Sequence, residues 1–105
     1  MAKYLLAYHV GKMPETQQEQ DQVMQAWNEW YGELGEAVAD PGNPVAHAST
    51  IAPDGTVTAG GGANPVSGYT IIEAGSLDAA VKMATGCPVR HGGGSIEVAE
   101  TFAAM

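Results

Sequence analysis

The sequence predicts an α+β domain in which two helices cover one face of an antiparallel sheet. Two observations support this class. First, segments with helical periodicity alternate with short apolar segments in the order β-α-β-β-β-α-β, which is the split βαβ pattern. Second, a chain of 105 residues with 45% hydrophobic residues has room for a single core. Residues 1–105 are therefore expected to form one domain.

The first strand is predicted over residues 3–10, where both alternating faces are largely apolar. Its two faces carry Tyr4, Leu6 and Tyr8 on one side and Leu5, Ala7 and His9 on the other. Because the helices cover only one face of the sheet, the second face needs another cover. Charged residues make up only 15% of the chain, which also favours surface hidden in an oligomer. The sequence therefore predicts a symmetric homodimer.

The first helix is predicted from a stripe of apolar residues with the period of one helical face. The stripe consists of Val23, Trp27, Trp30, Leu34 and Val38. Residues 15–22 carry no aliphatic side chain and are expected to form the exposed first turns. The run of residues 40–44 contains two prolines, and proline cannot continue a helix. The helix is therefore expected to end there.

The middle of the chain is predicted to form a hairpin followed by a loop. Residues 45–51 are a candidate strand, and Asp54-Gly55 favours the positive φ angles of a tight turn. A short returning strand then starts at Thr56. The glycine-rich run of residues 60–65 is expected to be a flexible loop.

The last third is predicted to form a strand, a helix and a strand. Residues 68–74 have the composition of a strand, and Ser76 is a candidate N-cap for the second helix. That helix is expected to end near residues 86–88, where a glycine precedes a proline two positions later. A loop then holds residues 90–94, and residues 95–99 form the last strand.

The balance of charge excludes two classes of partner. Twelve acidic residues against four basic ones give a net charge of −8, which repels nucleic acids and anionic membrane surfaces. No apolar run approaches the ~20 residues that a membrane-spanning helix needs. The N-terminal residues lack the pattern of a signal peptide. We therefore expect a cytoplasmic protein that binds neither nucleic acid nor membrane.

The sequence contains no motif for a metal or a cofactor. Cys87 is the one cysteine, so neither an intrachain disulfide nor a paired-cysteine metal site is possible. The three histidines lack the i, i+4 spacing of helical metal ligands. The glycine runs at residues 60–62 and 92–94 lack the remaining residues of dinucleotide-binding and phosphate-binding loops. We expect no metal ion and no cofactor.

Seven short segments, by their order and spacing, resemble the YCII-related (DGPF-type) family of the dimeric α+β barrel superfamily. They are Lys3-Tyr4-Leu5-Leu6, the aromatic helix from Trp27 to Gly35, Asp54-Gly55, Gly68-Tyr69, Ser76-Leu77-Asp78-Ala79-Ala80, Cys87-Pro88 and Gly93-Gly94-Ser95-Ile96-Glu97-Val98. The resemblance covers nearly the whole chain and implies a ferredoxin-like subunit whose sheet packs face to face against that of a second copy. The family's Asp-Gly-Pro-Phe run is replaced here by residues 60–65. The histidine that some relatives carry in the first helix falls at Met24 or Trp27.

The resemblance also implies a ligand cleft between the helices and the sheet of each subunit. Trp27 and Trp30 share one helical face and are either core residues or the apolar wall of this cleft. Asn43, Asn64 and Tyr69 are candidates for its polar edge. Such a composition suits a small, planar, neutral or weakly polar molecule.

Histidines are the natural candidates for acid–base chemistry, because imidazole titrates near neutral pH. His9 ends the first strand, close to the expected mouth of the cleft, and His47 lies early in the second. Either is a candidate catalytic residue, although histidines in such positions more often have a purely structural role. His91 precedes three glycines and is more typical of a solvated loop.

Three functional hypotheses follow from the sequence. The first is a homodimer that binds a small molecule between helices and sheet. The second, implied by the superfamily, is a cofactor-free isomerase or monooxygenase in which His9 or His47 moves a proton while Trp27 and Trp30 hold the ring. The third is a structural or accessory dimer whose indoles fill the cleft. Whether residues 60–64 close over a site stays open at this stage.

Overall fold

A computed structural model of the protein describes residues 2–11 and 13–103. The strands are β1 (Ala2–His9), β2 (Val38–Asp40), β3 (Ser49–Ile51), β4 (Val57–Ala59), β5 (Gly68–Ala74) and β6 (Ser95–Glu100). The helices are α1 (Gln17–Leu34) and α2 (Leu77–Thr85), with short 3₁₀ turns at Gly35–Ala37 and Pro88–Gly92. The predicted α+β class is confirmed, and β2 is an additional short strand.

Four strands form one antiparallel sheet in the order β2-β5-β1-β6. The first strand of the chain therefore lies in the middle of the sheet. Leu5 lies opposite Ile71 of β5 on one side and opposite Ala99 of β6 on the other. Strands β3 and β4 pair with each other in a separate two-stranded sheet.

The core lies between the two helices and one face of this sheet. The sheet contributes alternate, fully shielded side chains, namely Tyr4, Leu6, Tyr8, Ile72 and Ala74. Trp30 of α1 and Ala80 and Ala84 of α2 pack against them. Small residues on α2 let the short helix approach the sheet closely, so two layers are enough to bury this face.

The opposite face of the sheet has no covering layer within the part of the chain that the structure describes. We call it the open face, and its central side chains are Leu5, Ala7 and His9 of β1, Tyr69, Ile71 and Glu73 of β5, and Glu97 and Ala99 of β6. Leu5, Ala7, Tyr69 and Ile71 are each only partly buried. The two-sided apolar character predicted for β1 is thus real, and one side of it is uncovered in a single chain.

The first helix ends earlier than its apolar stripe predicts. Val38 does not continue α1 but pairs with Ile72 as part of β2, which corrects the expected helical face. The cause is Gly35, which caps the helix with a φ of 55° and whose N–H donates to the Tyr31 carbonyl. A positive φ suits glycine, so this residue turns the chain away from the helix axis.

The segment of residues 45–66 projects from the body as a hairpin, and we call it the arm. Of the predicted strand 45–51, only residues Ser49–Ile51 form a strand, which is β3. Its one pairing partner among the described strands is β4. The predicted turn at Asp54-Gly55 is confirmed, with Gly55 at a φ of 90°. Apart from Ala52, every arm residue is exposed. The arm also explains why the radius of gyration is 15.1 Å, against about 13 Å for a typical domain of this length.

The arm leaves and rejoins the body at one place. The Val45 N–H donates to the Ser67 carbonyl at 3.0 Å, and Pro44 bridges to Gly68. Ser67 is fixed in turn to β1, because its N–H and its hydroxyl both donate to the Tyr8 carbonyl, at 2.6 and 2.9 Å. The base of the arm is therefore held firmly at the end of the main sheet.

Candidate ligand-binding cleft

A cleft of about 340 Å³ opens where the end of the sheet meets α1 and the base of the arm. Its walls come from Tyr8 and Val10 at the end of β1, from Met24, Trp27 and Tyr31 of α1, and from the loop of residues 41–44. Ser67, Gly68 and Tyr69 close the side next to the arm. The site is thus built from segments far apart in sequence, which the sheet topology brings to one corner.

Aromatic rings form the main wall of the cleft. Trp27 and Tyr31 are four residues apart on α1 and so lie on the same face of the helix, with ring centroids 5.7 Å apart. The Tyr8 ring meets the Trp27 ring edge to face at 5.2 Å. Edge-to-face and tilted contacts of this kind hold the rings in fixed orientations. The half-buried Trp27 indole consequently presents a rigid apolar surface to the cleft.

A hydroxyl network lies behind this wall. The Tyr8 hydroxyl donates to Thr70 Oγ1 at 2.7 Å, and Thr70 Oγ1 donates to the Pro41 carbonyl at 3.0 Å. The Tyr31 hydroxyl lies 3.2 Å from Thr70 Oγ1 and 3.3 Å from the Pro41 carbonyl oxygen. Burial raises the pKa of Tyr8 far above its ordinary value. Tyr8 therefore stays protonated and keeps its role as a donor.

The rim of the cleft is shaped by the loop after β2. The Gly42 N–H donates to Asp40 Oδ1 at 2.9 Å. This hydrogen bond closes a tight Asx turn. Gly42 has a φ of 73°, and a Cβ there would lie 1.8 Å from the Tyr69 carbonyl oxygen. Only glycine fits this position. The close approach lets the Asn43 carbonyl accept from the Tyr69 N–H at 3.3 Å and places Asn43 at the rim.

The cleft carries no charged side chain among the described residues that line it. Its surface is mostly aromatic and aliphatic, and the polar backbone groups at its rim largely bond to each other. A charged ligand would lose its hydration here without gaining a counter-charge, which is strongly unfavourable. The geometry is therefore suited to a neutral molecule with a flat apolar body.

The structure separates the predicted ligand-binding residues into two groups. Trp27 and Asn43 lie around the cleft, and Tyr69 borders it although its side chain belongs to the open face. Trp30 lies in the core instead, 3% exposed, and its indole N–H donates to the Met83 carbonyl at 3.0 Å. Asn64 lies on the exposed arm and does not line the cleft.

The candidate catalytic histidines do not line the cleft either. His9 was expected at its mouth, but strand alternation places the ring on the open face, behind Tyr8. There His9 Nδ1 lies 3.1 Å from the Pro65 carbonyl oxygen and Nε2 lies 3.9 Å from Glu97 Oε1. His47 is exposed on the arm, and His91 is exposed in the 3₁₀ turn before β6.

Cys87 is completely shielded from solvent next to the hydroxyl network. Burial raises the pKa of its thiol to about 11. A protonated, inaccessible thiol is a poor nucleophile. Its environment is that of a small hydrophobic core residue.

Sequence reasoning missed two aromatic members of the cleft and the polar residue behind them. Tyr8 shares a strand face with Tyr4 and Leu6, and Tyr31 follows Trp27 by one helical turn. These spacings were the available signals. Nothing local to Thr70 indicates that it joins both tyrosines, because the contact depends on three separate segments meeting.

Across residues 2–11 and 13–103, no group of three or more histidine, cysteine or carboxylate side chains is arranged to hold a metal ion. In the same ranges, neither helix is long and apolar enough to cross a bilayer.

Comparison with known proteins adds no family to this picture. No protein-family model matches the chain, and no curated protein has a significantly similar sequence. The resemblance found in the sequence is therefore supported by the structure at the level of an α+β fold with an antiparallel sheet.

Proposed function

We propose that this protein is a homodimer that binds a small, planar, neutral molecule in the cleft beside Trp27. The observation that carries the proposal is the composition of the cleft, which combines a rigid aromatic wall with an uncharged lining. Its volume of about 340 Å³ lies at the lower end of the range for small-molecule sites. One or two fused rings with a single polar substituent would fit.

The wall favours a flat ligand because stacked or edge-on aromatic contacts add specific attraction to the burial of apolar area. The Tyr31 hydroxyl, which belongs to the network behind the wall, is one side-chain group able to exchange a hydrogen bond with a hydroxyl or carbonyl substituent. Trp27 leaves the cleft open rather than filling it, which favours binding over a purely structural role. Since neither His9 nor His47 lines the cleft, the proposal is confined to binding.

The homodimer part of the proposal relies on the open face. Leu5, Ile71 and Ala99 form a row across three adjacent strands, β1, β5 and β6, and a second sheet packed on this row would remove it from water. Packing of two such sheets face to face is also what the resemblance to the YCII-related family implies. The order of elements and the antiparallel sheet support membership in that family, which we include in the proposal.

The ligand class is tested with two probes that differ in charge but hardly in size. Isothermal titration calorimetry at pH 7 is expected to show 1-naphthol binding at least about tenfold more tightly than 1-naphthoate, because the uncharged lining cannot repay the dehydration of a carboxylate. Equal affinities for the two probes, or no measurable binding of 1-naphthol at millimolar concentration, would contradict the proposal.

The location of the site is tested with a matched pair of variants on α1. Trp27→Ala removes the wall and is expected to abolish 1-naphthol binding. Val23→Ala, one turn earlier and outside the lining, is expected to leave the affinity unchanged. Normal binding by the folded Trp27→Ala protein would show that the probe binds elsewhere.

A further inference from the structure

The arm exposes apolar side chains that no other part of the described chain covers. Ile51 and Val57 lie opposite each other across the hairpin, and they are 71% and 64% exposed. Strands β3 and β4 pair only with each other among the described strands. A lone two-stranded hairpin is at best marginally stable in water. The arm therefore has the features of an element that packs against something outside its own chain.

The charge of the arm indicates what kind of surface it fits. Asp54 is the one acidic residue in residues 45–66, and that segment contains no lysine or arginine, although the chain carries twelve acids and four bases. An exposed segment of an acidic protein would normally carry several acidic residues as well. A nearly neutral, apolar arm can contact a second copy of this chain without adding to the repulsion between two chains of charge −8.

The base of the arm lies next to the open face of the sheet. His9 belongs to the open face, and its Nδ1 lies 3.1 Å from the carbonyl oxygen of Pro65 at the base of the arm. The Ser67 hydroxyl holds the same base to the β1 backbone. The base of the arm therefore borders the open face on one side of the sheet and the cleft on the other. A second copy that covers the open face would lie next to the arm.

We propose that residues 45–66 are a dimerisation arm, whose Ile51 and Val57 pack on a second copy of this chain seated on the open face. Each copy presents both surfaces, so a two-fold dimer exchanges two arms and buries both apolar pairs. This inference rests on the proposed homodimer and identifies the element that packs against the partner.

The test compares Val57→Asp with Thr58→Asp. The two residues are neighbours on β4, both are exposed, and strand alternation points them to opposite faces of the hairpin. Sedimentation equilibrium of the full chain is expected to show that Val57→Asp raises the dimer dissociation constant at least about tenfold, because a charge then replaces a buried apolar contact in both copies. Thr58→Asp is expected to change it by less than about threefold.

A shortened arm provides a second, independent variant. The Gly60 N–H already donates to the Ala48 carbonyl at 2.8 Å, so an Asn-Gly turn can replace residues 49–59. This variant is expected to keep the urea-unfolding midpoint of the body and to weaken dimerisation as Val57→Asp does. Dimers of unchanged affinity in both variants, or equal weakening by Val57→Asp and Thr58→Asp, would overturn the arm while leaving the homodimer standing. A monomeric wild-type protein would overturn both.

Discussion

Thr70 is the residue that joins the sheet, the first helix and the rim of the cleft. Its side-chain oxygen accepts from the Tyr8 hydroxyl and donates to the Pro41 carbonyl. Thr70 is fully buried and Tyr8 is nearly so, and the Tyr8 hydroxyl therefore has little access to water if the threonine hydroxyl is removed. One threonine hydroxyl thereby fixes the aromatic wall in position.

Replacing Thr70 with valine keeps the shape of the side chain and removes the hydroxyl. We expect Thr70→Val to lower the free energy of unfolding by about 1–3 kcal/mol, because the buried Tyr8 hydroxyl loses its acceptor and the Pro41 carbonyl loses one of its two donors. In a Tyr8→Phe background the same substitution should cost less, since one of those groups is already gone. Urea unfolding of the four proteins measures this coupling, and strictly additive costs would refute it.

Stability should also fall at alkaline pH. Burial raises the pKa of Cys87 from its ordinary value of 9.0 to about 11, and burial raises that of Tyr8 in the same direction. The unfolded chain therefore loses these protons at a lower pH than the folded protein does. The stabilisation is fully present below pH 9 and is lost as the pH rises from 9 towards 11.

We expect the free energy of unfolding to fall by about 1–2 kcal/mol between pH 9 and pH 11 through Cys87 alone. Urea unfolding at a series of pH values measures the slope. Cys87→Ala should flatten it, because the substituted side chain has no proton to lose. The same slope in wild type and Cys87→Ala would show that the thiol plays no part.

At the scale of elements, the two helices begin with the same kind of cap but differ in what the cap protects. Ser76 Oγ accepts from the Ala79 N–H at 3.1 Å, and Thr16 Oγ1 accepts from the Glu19 N–H at 3.1 Å. The helix α2 has only nine residues and packs on the sheet with Ala80. The first turns of α1 are exposed.

Loss of the cap should consequently matter more in α2. We expect Ser76→Ala to lower the free energy of unfolding by about 1 kcal/mol, and Thr16→Ala to lower it by less than half of that, since α1 can fray at its exposed end without losing core contacts. Chemical denaturation of both variants measures the difference. Losses of equal size would show that the first turns of α1 are coupled to the core.

How far the sequence predicts the elements depends on how local their causes are. The strand at β5 and the cap at Ser76 follow from local patterns, and both are confirmed. Val38 fits a helical stripe, but Gly35 ends the helix before it and the chain pairs with β5 instead. A three-residue strand such as β2 forms because it pairs with β5, which lies far away in the sequence. The residues of β2 themselves therefore do not predict it.

The candidate site shows the same limit. Trp27 and Trp30 are equivalent by spacing, yet only Trp27 lies at the cleft, because the periodicity does not specify which turn of α1 passes over the end of the sheet. Alternation along β1 placed His9 on the face opposite Tyr8, but the sequence alone did not indicate which of these faces the cleft would use. The pairing of Asn43 with Tyr69 likewise becomes visible only once β5 is placed.

At the scale of the whole molecule, net charge opposes the proposed association. Each chain carries a net charge of −8. Two chains therefore repel each other at separations shorter than the screening length of the salt solution. The uncharged surfaces of the arm and the central row of the open face are where contact costs least.

Salt should therefore strengthen the dimer. We expect the dimer dissociation constant to fall about threefold or more when the sodium chloride concentration is raised from about 50 to 500 mM. Over this range the Debye screening length falls from about 14 Å to about 4 Å. Sedimentation equilibrium at the two salt concentrations measures the change. Weaker dimers at high salt would mean that ion pairs, rather than apolar contacts, hold the copies together.

The central position of β1 has a consequence for how the chain is made. This strand is synthesised before both of its neighbours, and Leu5 can pair only after Ile71 on one edge and Ala99 on the other have been made. Pairing on both edges is therefore delayed until β6 has been synthesised, and the sheet is completed by long-range contacts that form slowly. A truncated chain that stops at Gly86 lacks β6 and should unfold without a cooperative transition. Until β6 has been translated, the edge of β1 that β6 covers therefore stays unpaired.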